Sequence, residues 1–243
     1  MRAREGADSF TERLTEMAEK SAVRFLEFSS DKYAYLKDVP EGGLVLDIGP
    51  GDCRRLRYRA YFRSDLIHYG ADLQEHEACR KHVREFFVCD VAQETLPFEN
   101  DFFDLIVLSH VIEHLPGKDI SFVFSEIRRT LKKGGLLYIE FPSERTTKFV
   151  RGQTLRRYGL SVSTLNFADD PTHISPFTLS EMKNLLETHG FSLTRCGDVR
   201  EPVKKVFSPL LLILGWILRS RSLATGALWA MVNWASFAVA VKH

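Results

Sequence analysis

The chain has 243 residues, which is enough for one large hydrophobic core but short for two full domains. Hydrophobic residues make up 44% of it and charged residues 27%, a balance typical of soluble globular proteins. The formal net charge of +1 excludes a strong overall attraction to nucleic acid. The N-terminal stretch is charged and polar, unlike a secretory signal, so we expect a cytoplasmic protein.

The four cysteines resemble ordinary thiols. They have no Cys-x-x-Cys spacing and no histidine at zinc-ligand distance, so we expect free thiols in a reducing compartment. They are Cys53, Cys79, Cys89 and Cys196.

The N-terminal part of the chain is predicted to be helical. Apolar residues recur at helical spacing from residue 8 to 37, and Pro40 closes the segment. We expect residues 1–40 to form a helical cap over a core made by residues 41–200. The pattern rests on Phe10, Leu14, Met17, Val23, Phe25 and Leu26.

After the cap, strands alternate with connectors, several of them helical. Helices are predicted from Asp119 to Lys133, ended by Gly134-Gly135, and after the capping box Thr178–Glu181. Only 18 positions separate Asp72 from Asp90, so the second crossover is expected to be short or non-helical. This order predicts a doubly wound, mostly parallel α/β sheet. The predicted strands are Leu44–Ile48, Ile67–Leu73, Glu85–Cys89, Phe103–Leu108, Leu136–Phe141 and Phe191–Cys196.

Acidic residues stand at the ends of three successive strands. Asp47, Asp72 and Asp90 each end a predicted strand, and Gly49 and Gly51 follow the first of them. Ligands of such sheets bind at the carboxyl ends of the strands, and glycine lets a ligand lie against the main chain. Any one of these acids could be a helix cap or turn residue. Together they predict carboxylates around one elongated cofactor.

These residues resemble the class I S-adenosylmethionine-dependent methyltransferases. The resemblance covers residues 42–200 and extends to the His-x-x-Glu-His segment in Ser109–Leu115 and to Leu131–Gly135. A dehydrogenase would also have a glycine-rich first turn, but its usual third glycine is absent here. The resemblance implies a seven-stranded, Rossmann-like methyltransferase fold that uses S-adenosylmethionine. The sequence departs from the family at Cys53, where a small residue is common, and in the basic stretch 54–61.

The resemblance also implies roles for individual residues. The loop with Asp47, Gly49 and Gly51 would hold the methionine part of the cofactor. Asp72 would bind the ribose hydroxyls with Leu73 beside the adenine, and Asp90 and Val91 would meet the adenine. Ser109 and His110 would line the pocket below the methyl group.

Two histidines are candidates for the catalytic proton transfer. An acceptor hydroxyl needs a base, and His114 and His173 are suitable near neutral pH. A ring that only packs the loop remains an alternative for His114, and Glu113 could pair with a basic neighbour or orient a histidine. Spacing does not favour a metal site made of Glu113, His114 and His173, so we assign no metal ligands.

The C-terminal region, 201–243, is unusually apolar. Residues 206–218 and 223–241 carry no charge. We favour an apolar helical insert followed by a last strand, because Phe237, Val239 and Val241 alternate with alanines. The insert would roof the pocket or contact a membrane; a membrane hairpin and an oligomer interface are the alternatives. Flanking basic residues and tryptophans suit a peripheral membrane contact through 206–232, and the oligomeric state is left open.

The sequence therefore predicts a methyltransferase that acts on a small or lipid-linked acceptor. A hydroxyl of a glycan or of a quinone-like lipid, at the inner face of the cytoplasmic membrane, fits the C-terminal region best. The alternative is a non-catalytic module of the same fold, which binds the cofactor or acts as a membrane-tethered partner. The intact acids at the strand ends argue against that alternative.

Overall fold

The computed structural model describes residues 17–27 and 30–243. Its centre is one seven-stranded sheet with the order β3-β2-β1-β4-β5-β7-β6. All pairings are parallel except those of β7, which runs antiparallel to β5 and β6. This confirms the doubly wound, mostly parallel α/β sheet. The strands are β1 Leu44–Ile48, β2 Ile67–Asp72, β3 Glu85–Val88, β4 Phe103–Ser109, β5 Leu131–Pro142, β6 Phe191–Asp198 and β7 Ala235–Lys242.

Helices cover both faces of the sheet. Among the connectors, the one from β2 to β3 contains only a short 3₁₀ turn, Glu77–Cys79, as the sequence predicted. Helix α5 begins with the predicted capping box of Thr178 and Glu181. Of the expected cap residues, Phe10 and Leu14 lie outside the described residues. The helices are α1 (17–26), α2 Arg54–Phe62, α3 Gly117–Thr130, α4 Gly152–Arg157, α5 Leu179–Thr188, α6 Pro202–Ile217 and α7 Arg221–Val232. Further 3₁₀ turns are Asp31–Asp38, Ile112–His114, Glu144–Lys148 and Phe167–Asp169.

Apolar side chains fill both faces of the central strands. Along β4, Ile106 and Leu108 belong to one core, whereas Leu105 and Val107 belong to the other. Successive side chains of a strand point to opposite faces, so a strand that is apolar throughout must be covered twice. This buried centre holds the strand ends in fixed positions.

The predicted end of helix α3 is wrong. The helix stops at Thr130, and Gly134-Gly135 lies inside β5. Leu131 is already extended and pairs with Phe103, and the register shifts before the next paired residue. Glycine allows this irregular backbone, because Gly134 has a φ of +75°. The local sequence pattern of this segment continues the helix, but its pairing with β4 makes it a strand.

His68 on β2 predicts a pH-dependent loss of stability. The ring is buried, and neither nitrogen has a hydrogen-bond partner. Burial, with the charges of Arg59 and His82, lowers the pKa of His68 to about 3. The unfolded chain binds a proton below pH 6.5 that the folded chain does not, so stability is lost as the pH falls. We expect the free energy of unfolding to fall by up to about 1.4 kcal/mol per pH unit in this range.

Urea unfolding of the wild type and of His68→Phe at pH 7 and pH 5 measures this effect. The variant lacks the titrating group, so its loss of stability between the two pH values should be smaller by about 2 kcal/mol. An equal loss in both proteins would contradict the assignment.

Candidate functional site

A cavity of about 470 Å³ opens at the carboxyl end of the sheet, where β1, β2 and β4 end. This is the place where sheets of this topology bind ligands. Seven of the residues predicted for the site line it: Gly49, Asp72, Leu73, Asp90, Val91, His110 and His114.

Two of the three acids that line the cavity, Asp72 and Asp90, are held by local hydrogen bonds. Asp72 accepts the backbone N–H of Gly51 at 3.0 Å and that of Leu73 at 2.7 Å. Asp90 accepts the backbone N–H of Ala92 at 3.0 Å and the side-chain amide of Gln93 at 2.6 Å. A carboxylate offers about four lone-pair sites, so both groups keep the capacity to accept hydrogen bonds from a ligand.

The glycine loop allows the close approach of main chain to ligand. Gly49 has a φ of +68°, and a Cβ atom there would overlap Val111, which also lines the cavity. Only glycine satisfies both conditions. Gly51 does not line the cavity; it acts on the site through its N–H bond to Asp72.

Asp47 is not brought into this cavity. It is 3% exposed, and its carboxylate accepts a hydrogen bond from the equally buried guanidinium of Arg59 on α2. Successive side chains of a strand point to opposite faces of the sheet. Asp47 therefore points to the face opposite to Leu46 and Ile48, and its carboxylate does not reach the cavity. Its structural role is therefore that of a buried ion pair beneath the glycine loop.

The expectation of four free thiols is wrong. Cys53, which precedes α2, forms a disulfide with Cys79, whose turn follows β2; Cys89 and Cys196 are free. The two cysteines are 26 positions apart, and spacing alone does not reveal such a pair. The bond joins the glycine loop to the segment that follows Asp72, so it stabilises one wall of the cavity.

A buried polar network that the sequence analysis did not predict lies next to the cavity. Glu140 on β5 accepts hydrogen bonds from Arg55 at 2.5 Å, His110 at 3.0 Å and Tyr138 at 2.8 Å. Burial opposes ionisation of Glu140, but Arg55, Lys32 and His110 outweigh it and hold the pKa of Glu140 well below its usual range. The network keeps a charged carboxylate in the interior.

This network also fixes Ser109 and His110. Ser109 accepts a hydrogen bond from Arg55 at 2.9 Å and does not line the cavity of about 470 Å³. His110 has a φ of +57°, and its two ring nitrogens lie 3.0 Å from Glu113 and 3.0 Å from Glu140. The two carboxylates therefore hold the ring of His110 through both of its nitrogens.

His114 and His173 lie together at the edge of the site. Their ring centroids are 4.9 Å apart, although the residues are far apart in sequence. His114 lines the cavity, whereas His173 belongs to the neighbouring loop that follows Phe167–Asp169. The fold therefore joins the two catalytic candidates into one pair.

The sequence matches a known protein family over most of its length. A family model described as a methyltransferase domain matches residues 16–195, which is most of the chain. The chain belongs to this family. No curated protein matches the sequence.

Solved structures share the fold of this methyltransferase. An S-adenosylmethionine-dependent methyltransferase from Archaeoglobus fulgidus is 18% identical, with 95% of this chain and 94% of that one covered and a TM-score of 0.52. A TehB-like methyltransferase from Corynebacterium glutamicum is 15% identical, with 98% and 99% covered and a TM-score of 0.53. An N-methyltransferase from Haemonchus contortus, in complex with phosphomonomethylethanolamine and S-adenosylhomocysteine, is 21% identical, with 87% and 52% covered and a TM-score of 0.58.

The methyltransferase is therefore an enzyme that uses S-adenosylmethionine, as predicted. The observed cavity suits this cofactor. Its glycine loop leaves the main chain open, and Asp72 and Asp90 offer acceptors for hydroxyl and amino groups. Leu73 is 70% exposed beside them and provides an apolar surface for a ring.

A second cavity of the methyltransferase, of about 650 Å³, lies between α2 and the helices α6 and α7. The ring of His110, which lines the first cavity, lies 5.9 Å from that of Trp229, which lines the second. Tyr33, Tyr58 and Glu27 face the same space. Five basic residues contribute to the lining: Lys32, Arg54, Arg55, Lys204 and Arg221.

Helix α6 of the methyltransferase presents a large apolar surface to the outside. Exposed basic residues flank it at Lys205, Arg219 and Arg221. Within the described part of the chain, no helix is long and apolar enough to cross a membrane. The exposed apolar side chains are Val206, Phe207, Leu210, Ile213, Leu214, Trp216, Ile217 and Leu218.

Proposed function

We propose that the protein transfers the methyl group of S-adenosylmethionine to a hydroxyl of a small or lipid-linked acceptor, such as a glycan or a quinone-like lipid. The observation that carries this proposal is the pairing of His114 with His173 beside the cofactor cavity. A hydroxyl must lose its proton on methylation, and an imidazole can accept that proton near neutral pH.

In this proposal the cofactor lies in the first cavity. The main chain at Gly49 meets its methionine part, Asp72 accepts hydrogen bonds from the ribose hydroxyls, and Asp90 accepts one from the adenine. Leu73 and Val91 pack against the adenine, and His110 lies below the methyl group. The chain needs mainly to align donor and acceptor, because orientation alone can supply about 7–11 kcal/mol.

The second cavity supports an acceptor with a polar head. Arg54 and Arg221 are exposed, and Tyr58 and Trp229 provide flat surfaces on which a ring can stack. Helices α6 and α7 form both part of this cavity and the exposed apolar surface. We propose that α6 lies in the interface of an anionic membrane at its inner face, where a lipid-linked acceptor delivers its head group to the cavity.

Two measurements test cofactor binding and transfer. Isothermal titration should show S-adenosylhomocysteine binding that Asp72→Ala weakens at least tenfold, because hydrogen bonds to a charged group contribute about 1.5–3 kcal/mol each. With radiolabelled S-adenosylmethionine, label should enter the lipid or glycan extract, and His173→Ala should slow this roughly 100-fold. Binding without label in any extract would contradict the proposed transfer.

Vesicle sedimentation tests the membrane contact. Ile217 is 61% exposed on α6, and Val88 is 60% exposed on the edge strand β3. Burying one such side chain contributes about 1.5–3 kcal/mol, so Ile217→Glu should weaken binding to phosphatidylglycerol vesicles at least tenfold. Val88→Glu adds the same charge elsewhere and should leave binding unchanged. Equal binding by both variants would refute contact through α6.

A further inference from the structure

The side chains of Glu113, His114 and His173 converge on one point. One ligand atom from each lies within 4.8 Å of the others. Two imidazoles and one carboxylate are a donor set that binds divalent transition metals with coordination positions left open. The convergence depends on the fold, because His173 comes from a loop remote in sequence.

Both imidazoles are turned so that the same ring nitrogen is left available. His114 donates from Nδ1 to the hydroxyl oxygen of Thr172 at 2.9 Å and to its carbonyl oxygen at 3.2 Å; the hydroxyl itself donates to Asp170. His173 donates from Nδ1 to the carbonyl oxygen of Phe167 at 2.6 Å. Within the described chain neither Nε2 atom has a hydrogen-bond partner. A backbone carbonyl on Nδ1 fixes the tautomer whose Nε2 carries the lone pair, as in metal-binding histidines.

Glu113 contributes a carboxylate with an unsatisfied oxygen. The residue is 1% exposed, and its Oε1 accepts a hydrogen bond from His110 at 3.0 Å. Its Oε2 is buried and has no partner. A buried acceptor without a partner is costly, and a cation removes that cost.

The loop that carries His173 is tied to the segment that carries the other two groups. The backbone N–H of Ile174 donates to the carbonyl of Glu113 at 2.8 Å. Thr172, whose carbonyl orients His114, is itself held by Asp170, which accepts its hydroxyl at 2.5 Å. Hydrogen bonds within this loop and to the main chain of Glu113 thus hold the two segments together.

We propose that Glu113, His114 and His173 bind a divalent first-row transition-metal ion of the zinc type, with Nε2 of each histidine and Oε2 of Glu113 as ligands. His114 also lines the cofactor cavity, so an ion held by the cluster would lie beside it.

The chemistry of this inference rests on the proposed function. Here, however, the two histidines hold the metal ion and do not accept the proton. A bound ion would lower the pKa of an acceptor hydroxyl coordinated to it, and the proton of that hydroxyl would pass to solvent water. The oxygen then forms the O–CH₃ bond as the S–CH₃ bond breaks. The electron pair of that bond returns to sulfur, which leaves neutral S-adenosylhomocysteine.

The test is titration of chelator-stripped protein with Zn²⁺ and with Co²⁺. We expect one Zn²⁺ per chain and a change in the visible spectrum of Co²⁺ on binding. Loss of an orienting partner alone costs 10–100-fold in metal affinity, so loss of a ligand in His173→Ala should cost at least 100-fold. His243→Ala removes an exposed histidine outside the cluster and should have no effect.

The outcomes separate the two proposals. Zn²⁺ binding that His173→Ala and Glu113→Gln leave unchanged, or no binding at all, overturns the metal site. Full methyl transfer by stripped protein in excess chelator overturns the role of the metal in the transfer and leaves direct proton transfer to a histidine standing. Zn²⁺ binding without methyl transfer to any extract, with or without metal, contradicts the proposed function and leaves the site intact. Circular dichroism confirms that each variant is folded.

Discussion

Replacing Asp47 with alanine is expected to lower the free energy of unfolding by about 3–5 kcal/mol, because it leaves the guanidinium of Arg59 buried without its counter-charge. Arg59 is 2% exposed, and its Nε already lacks a partner, so water cannot replace the lost carboxylate without a change in the packing. Urea unfolding followed by circular dichroism measures the effect. In a domain of this size we expect the melting temperature to fall by roughly 6–20 °C.

Two controls separate the buried ion pair from the loss of a carboxylate in general. Asp65→Ala removes a comparable partner of Arg63 at the surface, where such pairs contribute at most about 1 kcal/mol. The double variant Asp47→Leu/Arg59→Met removes both buried charges and should recover much of the loss. If Asp47→Ala instead kept its stability and lost S-adenosylhomocysteine binding, the carboxylate would serve the cofactor and not Arg59.

The strand ends could be predicted because they depend on local pattern. Each apolar run is short and ends in a turn residue, and in parallel sheets all such ends meet at one edge. Asp72, Asp90 and Gly49 were therefore placed at one cavity without knowledge of any contact. The capping box at Thr178 was equally local, since both of its partners lie within one helical turn.

Side-chain direction and long-range pairing account for what the sequence did not reveal. Asp47 lies next to the last residue of β1, near the strand end as predicted, but alternation directs its carboxylate to the face on which α2 lies. The disulfide of Cys53 and Cys79 and the early start of β5 depend on segments that meet only after folding. The basic stretch 54–61 could have indicated the partner of Asp47, since a buried acid needs a basic residue beside it.

Glu140 is a second residue whose need for a buried partner could have been predicted from the sequence. A single carboxylate stands in the otherwise apolar run Leu136–Phe141, and a charge in a buried strand requires partners. The structure supplies Arg55 from α2 and His110 from the end of β4. The sequence could show that partners were needed, but not which residues they are.

The disulfide supports a second stability prediction, for the wall of the cofactor cavity. Closing a loop over 26 positions removes conformational freedom from the unfolded chain and contributes about 3–4 kcal/mol in the chain-entropy model. Cys79→Ser should therefore lower the free energy of unfolding by that amount in the absence of a reductant. It should also weaken S-adenosylhomocysteine binding, because the bond holds the glycine loop against the segment after Asp72.

Reductant and a matched cysteine variant make this test specific. Dithiothreitol should destabilise the wild type to the level of Cys79→Ser and leave that variant unchanged. Cys196→Ser removes an exposed free thiol and should behave as wild type under both conditions. A wild type whose stability does not respond to dithiothreitol would show that Cys53 and Cys79 are not joined in solution. The cavity wall would then depend on packing and on hydrogen bonds between the glycine loop and β2, from Gly51 to Asp72 and from Gly49 to Ala71.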